Sequence, residues 1–219
     1  MRPRILICLL ALFACRSPSP ETRAVVTGGP TPRANTTAFS HASGGSMRLN
    51  MGYGIALNER TSIQREWIAA HDSTAPVDLV GTPGLATAYG DGYQARASYQ
   101  LQVRDSVVAV EIRFVAFDVW GDPIRTFRAA EIEDLGRGLS REYKGTWSLS
   151  SYGADPSELY ATIAYVSRVR RANGAIWEAN EAPILAEARR FDARFTPEDL
   201  LPPGGRRTQD SSTVGSAHT

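Results

Sequence analysis

The feature that most constrains the fold is an alternation of apolar and polar residues that recurs along the middle of the chain. In Tyr93–Val103 one parity carries Tyr93, Ala95, Ala97, Tyr99, Leu101 and Val103, and the other carries Gln94, Arg96, Ser98, Gln100 and Gln102. Successive side chains of an extended strand point to opposite faces, so this segment reads as a strand with one face in a core and one in water. The same period runs through Met47–Leu57 and, more weakly, through Ile63, Arg65 and Trp67. Val107–Val119 follows the turn Arg104-Asp105-Ser106 and sets Val108, Val110, Ile112 and Phe114 inward, opposite Glu111 and Arg113. Toward its end Val115, Phe117 and Val119 are apolar as well, which predicts cover on both faces there. Gly121-Asp122-Pro123 stops it. Ile124–Ile132, Arg141–Leu149 and Tyr160–Arg170 are further strands, and Asn173-Gly174 turns the last of these back into Ile176-Trp177-Glu178. Seven or eight short strands without long intervening helices predict an all-β chain built as an antiparallel β-sandwich. Ile184–Arg194 fits either a short helix or an edge strand, and Thr196-Pro197-Glu198-Asp199-Leu200 reads as a capped helical turn.

The ends of the chain follow different rules. Arg2 and Arg4 precede the apolar stretch Ile5–Ala14. That stretch has the make-up of a signal-peptide core and is shorter than the roughly 20 residues needed to span a bilayer. It closes on Leu12-Phe13-Ala14-Cys15, which resembles the lipobox of bacterial lipoproteins. The resemblance implies a signal peptide over residues 1–14 and lipidation at Cys15, with palmitate-type acyl chains holding the protein to a membrane. Cys8 then leaves with the signal, and the remaining chain has no disulfide. Arg16 stands where an aspartate would favour inner-membrane retention. The expected location is therefore the bacterial cell envelope, at the periplasmic face of the outer membrane or the cell surface. Ser, Pro, Thr, Gly and Ala dominate the segment that follows, so residues 15–45 are expected to form a flexible lipidated stalk. Residues 46–201 form the sandwich domain and residues 202–219 a disordered tail.

Within Val107–Asn180 an apolar strand ends in Phe117-Asp118-Val119-Trp120-Gly121, followed by the turn Asp134-Leu135-Gly136, a strand carrying Trp147, and the hairpin Val166–Trp177. In that order the segment resembles FxLYD-type domains of bacterial envelope proteins. Phe117-Asp118-Val119-Trp120 stands where that family has Phe-x-Leu-Tyr-Asp. The resemblance implies an immunoglobulin-like sandwich that does binding or structural work, and it brings no catalytic residues.

Charge and side-chain chemistry narrow the function. Lys and Arg number 24 against 23 acids, a net charge of +1, without the basic excess of a nucleic-acid binder. Of the three histidines, His41 falls in the expected stalk and His218 in the tail, which leaves His71 as a solvated residue at a strand end. Asp91, Asp118 and Asp122 lie beside turns without EF-hand spacing, and Gly44-Gly45 lacks the lysine of a phosphate loop. Glu111, paired with Glu131 or Glu133 across strands and set beside Arg113, reads as a surface ion pair. Arg168, Arg170 and Arg171 crowd one strand end. The expectation is a non-enzymatic envelope protein, without cofactor, metal site or nucleic-acid partner. It would meet another protein, or support envelope assembly, through Trp120, Asp122, Tyr152, Arg170 and Trp177. The alternative is a module that binds carbohydrate or cell-wall polymer. An exposed row of Trp and Tyr on one sheet face would favour that alternative, and a flat apolar patch would favour protein.

Overall fold

The structure is a computed structural model that describes residues 37–48, 62–90, 92–149 and 159–203. The expected signal peptide, Cys15, Tyr152 and most of the expected Met47–Leu57 strand lie outside those residues. The described chain forms nine strands and one short helix: β1 (Thr37–Arg48), β2 (Ser62–Asp72), β3 (Val77–Gly90), β4 (Gly92–Val103), β5 (Val107–Phe117), β6 (Pro123–Glu131), β7 (Ser140–Ser148), β8 (Ala161–Arg171), β9 (Ile176–Glu178) and α1 (Glu181–Ala188).

Two sheets result. One has the order β3-β4-β7, and the other β1-β2-β8-β5-β6 with β9 also paired to β8. Counted from β3, the strands fall as first-second-fifth against seventh-sixth-third-fourth. That is the immunoglobulin order with the fourth strand moved to the other sheet. The immunoglobulin-like sandwich is therefore β3–β9. The hairpin β1–β2 is added to it, and β2 runs parallel to the first half of β8 while β9 pairs antiparallel with the second half. This parallel pair departs from the expected all-antiparallel sheet.

Residues 37–45, expected in the stalk, instead make most of β1. Their Ser, Gly and Ala content hid a strand whose alternate side chains find a partner in β2. The alternation predicts no strand between Ala69 and Tyr93, where β3 lies. Gly81, Thr82 and Pro83 break its sequence pattern, and the structure absorbs them in a bulge between Val80 and Gly84, with Gly81 at φ 79°.

Between the sheets lies an apolar core of alternate residues from each strand, among them Leu79, Leu101, Val110, Ile112, Phe114 and Val166. Immunoglobulin domains pin this place with a disulfide and a Trp. Here Phe114 fills it, 5.5 Å from the Tyr99 ring and 5.7 Å from the Trp147 ring.

A second core lies on the outer face of the β5–β8 sheet. Val115 and Phe117 point there, as their apolar run predicted, and meet Ile68, Ile163, Tyr165, Ile184, Ala188, Phe195 and Leu200. The cover comes from α1 and the turns after it. Ile184–Arg194, open between helix and strand in the sequence, is helical up to Ala188 and turn beyond it. Asn180 caps α1 by accepting the Ala182 N–H at 3.2 Å. Thr196–Leu200 forms the expected capped turn, with both the backbone N–H and the hydroxyl of Thr196 donating to Asp199 Oδ2 at 2.8 Å.

Trp67 fastens the added hairpin to the sandwich. Its indole packs so closely between Gly44 of β1 and Gly84 of β3 that a Cβ at either position would overlap the ring. Its Nε1–H donates to Leu85 O at 3.2 Å.

Candidate functional site

The cover on the β5–β8 sheet stops half-way along the strands. Where it stops, a cluster of charged groups closes the boundary. Glu111 is only 7% exposed. It accepts from Ser167 Oγ at 2.9 Å, from Arg113 Nε at 3.1 Å and from Arg168 Nη2 at 2.9 Å. Burial alone would raise its pKa. The Ser167 hydrogen bond and the charges of Arg113 and Arg168 outweigh that and hold the carboxyl below the usual range. Arg113 in turn donates to Glu181 Oε1 of α1 at 2.7 Å and to Leu200 O at 3.3 Å. Burial works against the Arg113 charge, but Tyr165, Glu181 and Glu111 raise its pKa, while burial and Glu181 push the Tyr165 hydroxyl up. Glu111 and Arg113 therefore make a buried knot that ties the C-terminal cover to the sheet, in place of the expected surface ion pair. The other two glutamates are held elsewhere: Tyr99 donates to Glu131 and Tyr143 to Glu133, each at 2.5 Å.

Beyond the knot the described residues leave the sheet face open. Ala109, Ala130, Ile132, Arg168, Arg170 and Ile176 line a shallow groove of about 320 Å³ with Glu111 and Val110 at its floor. Ile132, just past the end of β6, is 83% exposed, and Ile176 of β9 is 57% exposed, so two large aliphatic side chains stand in water beside the groove. The expected basic cluster is largely neutralised: Arg168 pairs with Glu111, and Arg171 with Asp105 at 2.8 Å. Among the described residues no ion pair holds Arg170, so it is the available charge at the groove.

The structure divides the residues expected to form one interaction site. Arg170 lies at the groove. Trp120 and Asp122 share the turn between β5 and β6, at the opposite end of those strands from Ala109 and Ala130 of the groove. Asp118 Oδ1 accepts the N–H groups of Trp120 and Asp122 at 2.8 and 2.9 Å, which leaves the Trp120 side chain 80% exposed. Gly121 holds φ 87° against Phe191 O, and Asp122 pairs with Arg194 at 2.7 Å. Trp177 faces the other way, packing on the inter-sheet core and donating to Thr74 Oγ1 at 3.2 Å. The sequence carried a signal for the missed Ile176. Ile176 and Trp177 are consecutive in a strand, so one of them had to face outward.

The opposite sheet offers a larger depression of about 650 Å³, lined by Arg96, Ser98, Gln100, Glu142, Lys144 and Thr146. Ser98 Oγ donates to Glu142 at 2.7 Å, Arg96 to Gln94 at 2.9 Å and Gln100 to Ser140 at 2.7 Å. Tyr99 beneath them is buried. Among the described residues neither sheet face carries an exposed row of aromatic rings. No helix among them is long and apolar enough to cross a membrane, and no group of three or more His, Cys, Asp or Glu is placed to hold a metal ion.

His71 is not the solvated loop residue expected, and His41 does not lie in a stalk. Both are strand residues of the added hairpin. His41 Nδ1 lies 3.2 Å from Glu66 Oε1. His71 Nδ1 lies 3.0 Å from Asp78 Oδ1, and its Nε2 lies 2.8 Å from Ser40 Oγ.

Neither a protein-family model nor a curated protein matches the chain. Among solved structures, a hypothetical protein from Peptoclostridium difficile 630 is similar over 53% of this chain and 92% of its own, at 8% identity and a TM-score of 0.38.

Proposed function

We propose that this is a lipid-anchored protein of the bacterial cell envelope whose sandwich docks another envelope protein on the open half of its β5–β8 sheet. One observation carries the docking reading: Ile132 and Ile176 stand out beside a sheet face that residues 181–203 cover only in part. An aliphatic surface flanked by Arg168 and Arg170 suits a protein segment that brings apolar side chains and a carboxylate. The groove lining holds no ring on which a sugar would stack, and polymer binding is the second reading. Anchoring rests on Leu12-Phe13-Ala14-Cys15 behind Arg2 and Arg4, and the FxLYD-like order of motifs agrees with an envelope module.

The anchor is tested by metabolic labelling with an alkyne palmitate and fractionation. The wild type should carry label and sediment with membranes, and Cys15→Ser should lose both. An unlabelled wild type would contradict the anchor. Docking is tested by Ile176→Asp in cells treated with a reversible crosslinker. The variant should lose a discrete adduct that the wild type keeps, and an unchanged adduct would contradict docking at this face.

A further inference from the structure

The added hairpin assembles a constellation that the docking face does not use. Ser40 of β1 lies 31 residues before His71 of β2, Asp78 of β3 follows His71 by 7 residues, and hydrogen-bond distances bring the three together. Ser40 pairs with Ala69 and His71 with Ala38, so Ser40 and His71 are diagonal neighbours on one face of the ladder. Ser40 Oγ lies 2.8 Å from His71 Nε2, and His71 Nδ1 lies 3.0 Å from Asp78 Oδ1. Arg104 holds the carboxylate from its other side, donating to Asp78 Oδ2 at 2.6 Å and to Asp72 O at 3.1 Å. With Asp78 accepting the Nδ1 proton, Nε2 is the basic nitrogen and faces the hydroxyl. This is the order of a nucleophile, a base and an orienting acid.

We propose that Ser40 is the nucleophile of an acyl-transfer site that takes carboxylic esters with an accessible carbonyl. Ser40 is exposed, so its hydroxyl is open to an ester carbonyl arriving from solvent. In the forward step the Ser40 Oγ–carbonyl bond forms, the Ser40 proton passes to His71 Nε2, and the carbonyl electron pair moves onto oxygen. On collapse the ester C–O bond breaks and His71 gives that proton to the departing alcohol. Water, deprotonated by His71, then releases the acid and restores Ser40. In this proposal the strand itself supplies the donor for the oxyanion. β1 is an edge strand, and every second N–H of such a strand points away from the ladder. An outward N–H therefore belongs either to Ser40 or to both of its neighbours, Phe39 and His41. Ser40 and His71 are the catalytic residues of this proposal and Asp78 is a positioning residue.

The test is labelling of the purified full chain with a fluorophosphonate, which phosphonylates an activated serine with loss of fluoride, read by peptide mass spectrometry. The label should sit on Ser40. Ser40→Ala should abolish it with the melting temperature unchanged. His71→Gln, which keeps hydrogen-bonding capacity but is no base, should slow it at least about 100-fold. Asp78→Asn should slow it as well, with recovery in Asp78→Glu, a rescue that a merely structural carboxylate would not give. The proposal is overturned by a folded wild type that stays unlabelled, by a label that survives Ser40→Ala, or by Ser40 labelling at an unchanged rate in His71→Gln.

Discussion

The outer face of the β5–β8 sheet is one surface with two fates. Toward the β5–β6 turn, Val115, Phe117, Ile163 and Tyr165 lie beneath α1 and the turns that follow it, fully removed from water. Toward the other end, Ala109, Ala130, Ile132 and Ile176 have no cover within the described residues. The strands are the same in both halves. The difference lies in the C-terminal segment, which places Ile184, Phe195 and Leu200 on one half and ends its contact at the Glu111–Arg113 knot. Among the described residues, a helix and the turns after it cover half of this sheet face, the Glu111–Arg113 pair closes the boundary, and aliphatic side chains stand beyond it.

The comparison breaks or sharpens under substitution. Phe117→Ala, in the covered half, should have the largest effect. Its ring stacks 4.8 Å from Phe191 and lies 5.5 Å from Phe195, and its loss should cost about 3–5 kcal/mol, read as a fall in the denaturant midpoint. A near-neutral result would mean that the C-terminal cover is not seated. Arg113→Met, at the boundary, should cost about 3 kcal/mol because Glu111 is left buried without its main cation. Acid should act through the same knot. The Glu111 carboxyl is held below its ordinary value of 4.5, so the native state binds its proton less readily than the unfolded chain does. That stabilisation is complete above about pH 4.5 and is lost as pH falls through the lowered native value. Urea melts between about pH 6 and about pH 3 should show this slope, and Glu111→Gln should flatten it. The smallest effect on stability belongs to the open half: Ile176→Ser should change the unfolding free energy by no more than about 0.5 kcal/mol. A large loss there would mean that Ile176 serves the fold rather than a partner.

Legibility followed the strength of the alternation. Tyr93–Val103 became β4 within a residue, and the doubly apolar end of Val107–Val119 told correctly that a second layer lay above it. Pattern reading missed β3, because a bulge can swallow Gly81-Thr82-Pro83 without ending the strand. It missed the start of β1, because Ser, Gly and Ala read as linker until a partner strand pairs with them. The site was less legible than the fold. Arg170 lines the groove, but Trp120 and Trp177 share only a residue type, and the fold sends one to a turn tip and the other to the core edge. Ser40, His71 and Asp78 carry no local motif, since their meeting depends on a hairpin whose first strand looked like tether.

The most direct measurement is photocrosslinking in living cells from a probe placed in turn at Ile132, Ile176 and Thr146. The first two stand on the open half, and the third lines the polar depression of the opposite sheet. The docking account predicts one discrete adduct of the same mass from Ile132 and Ile176 and none from Thr146. An adduct from Thr146 alone, or the same adducts from all three positions, would contradict it.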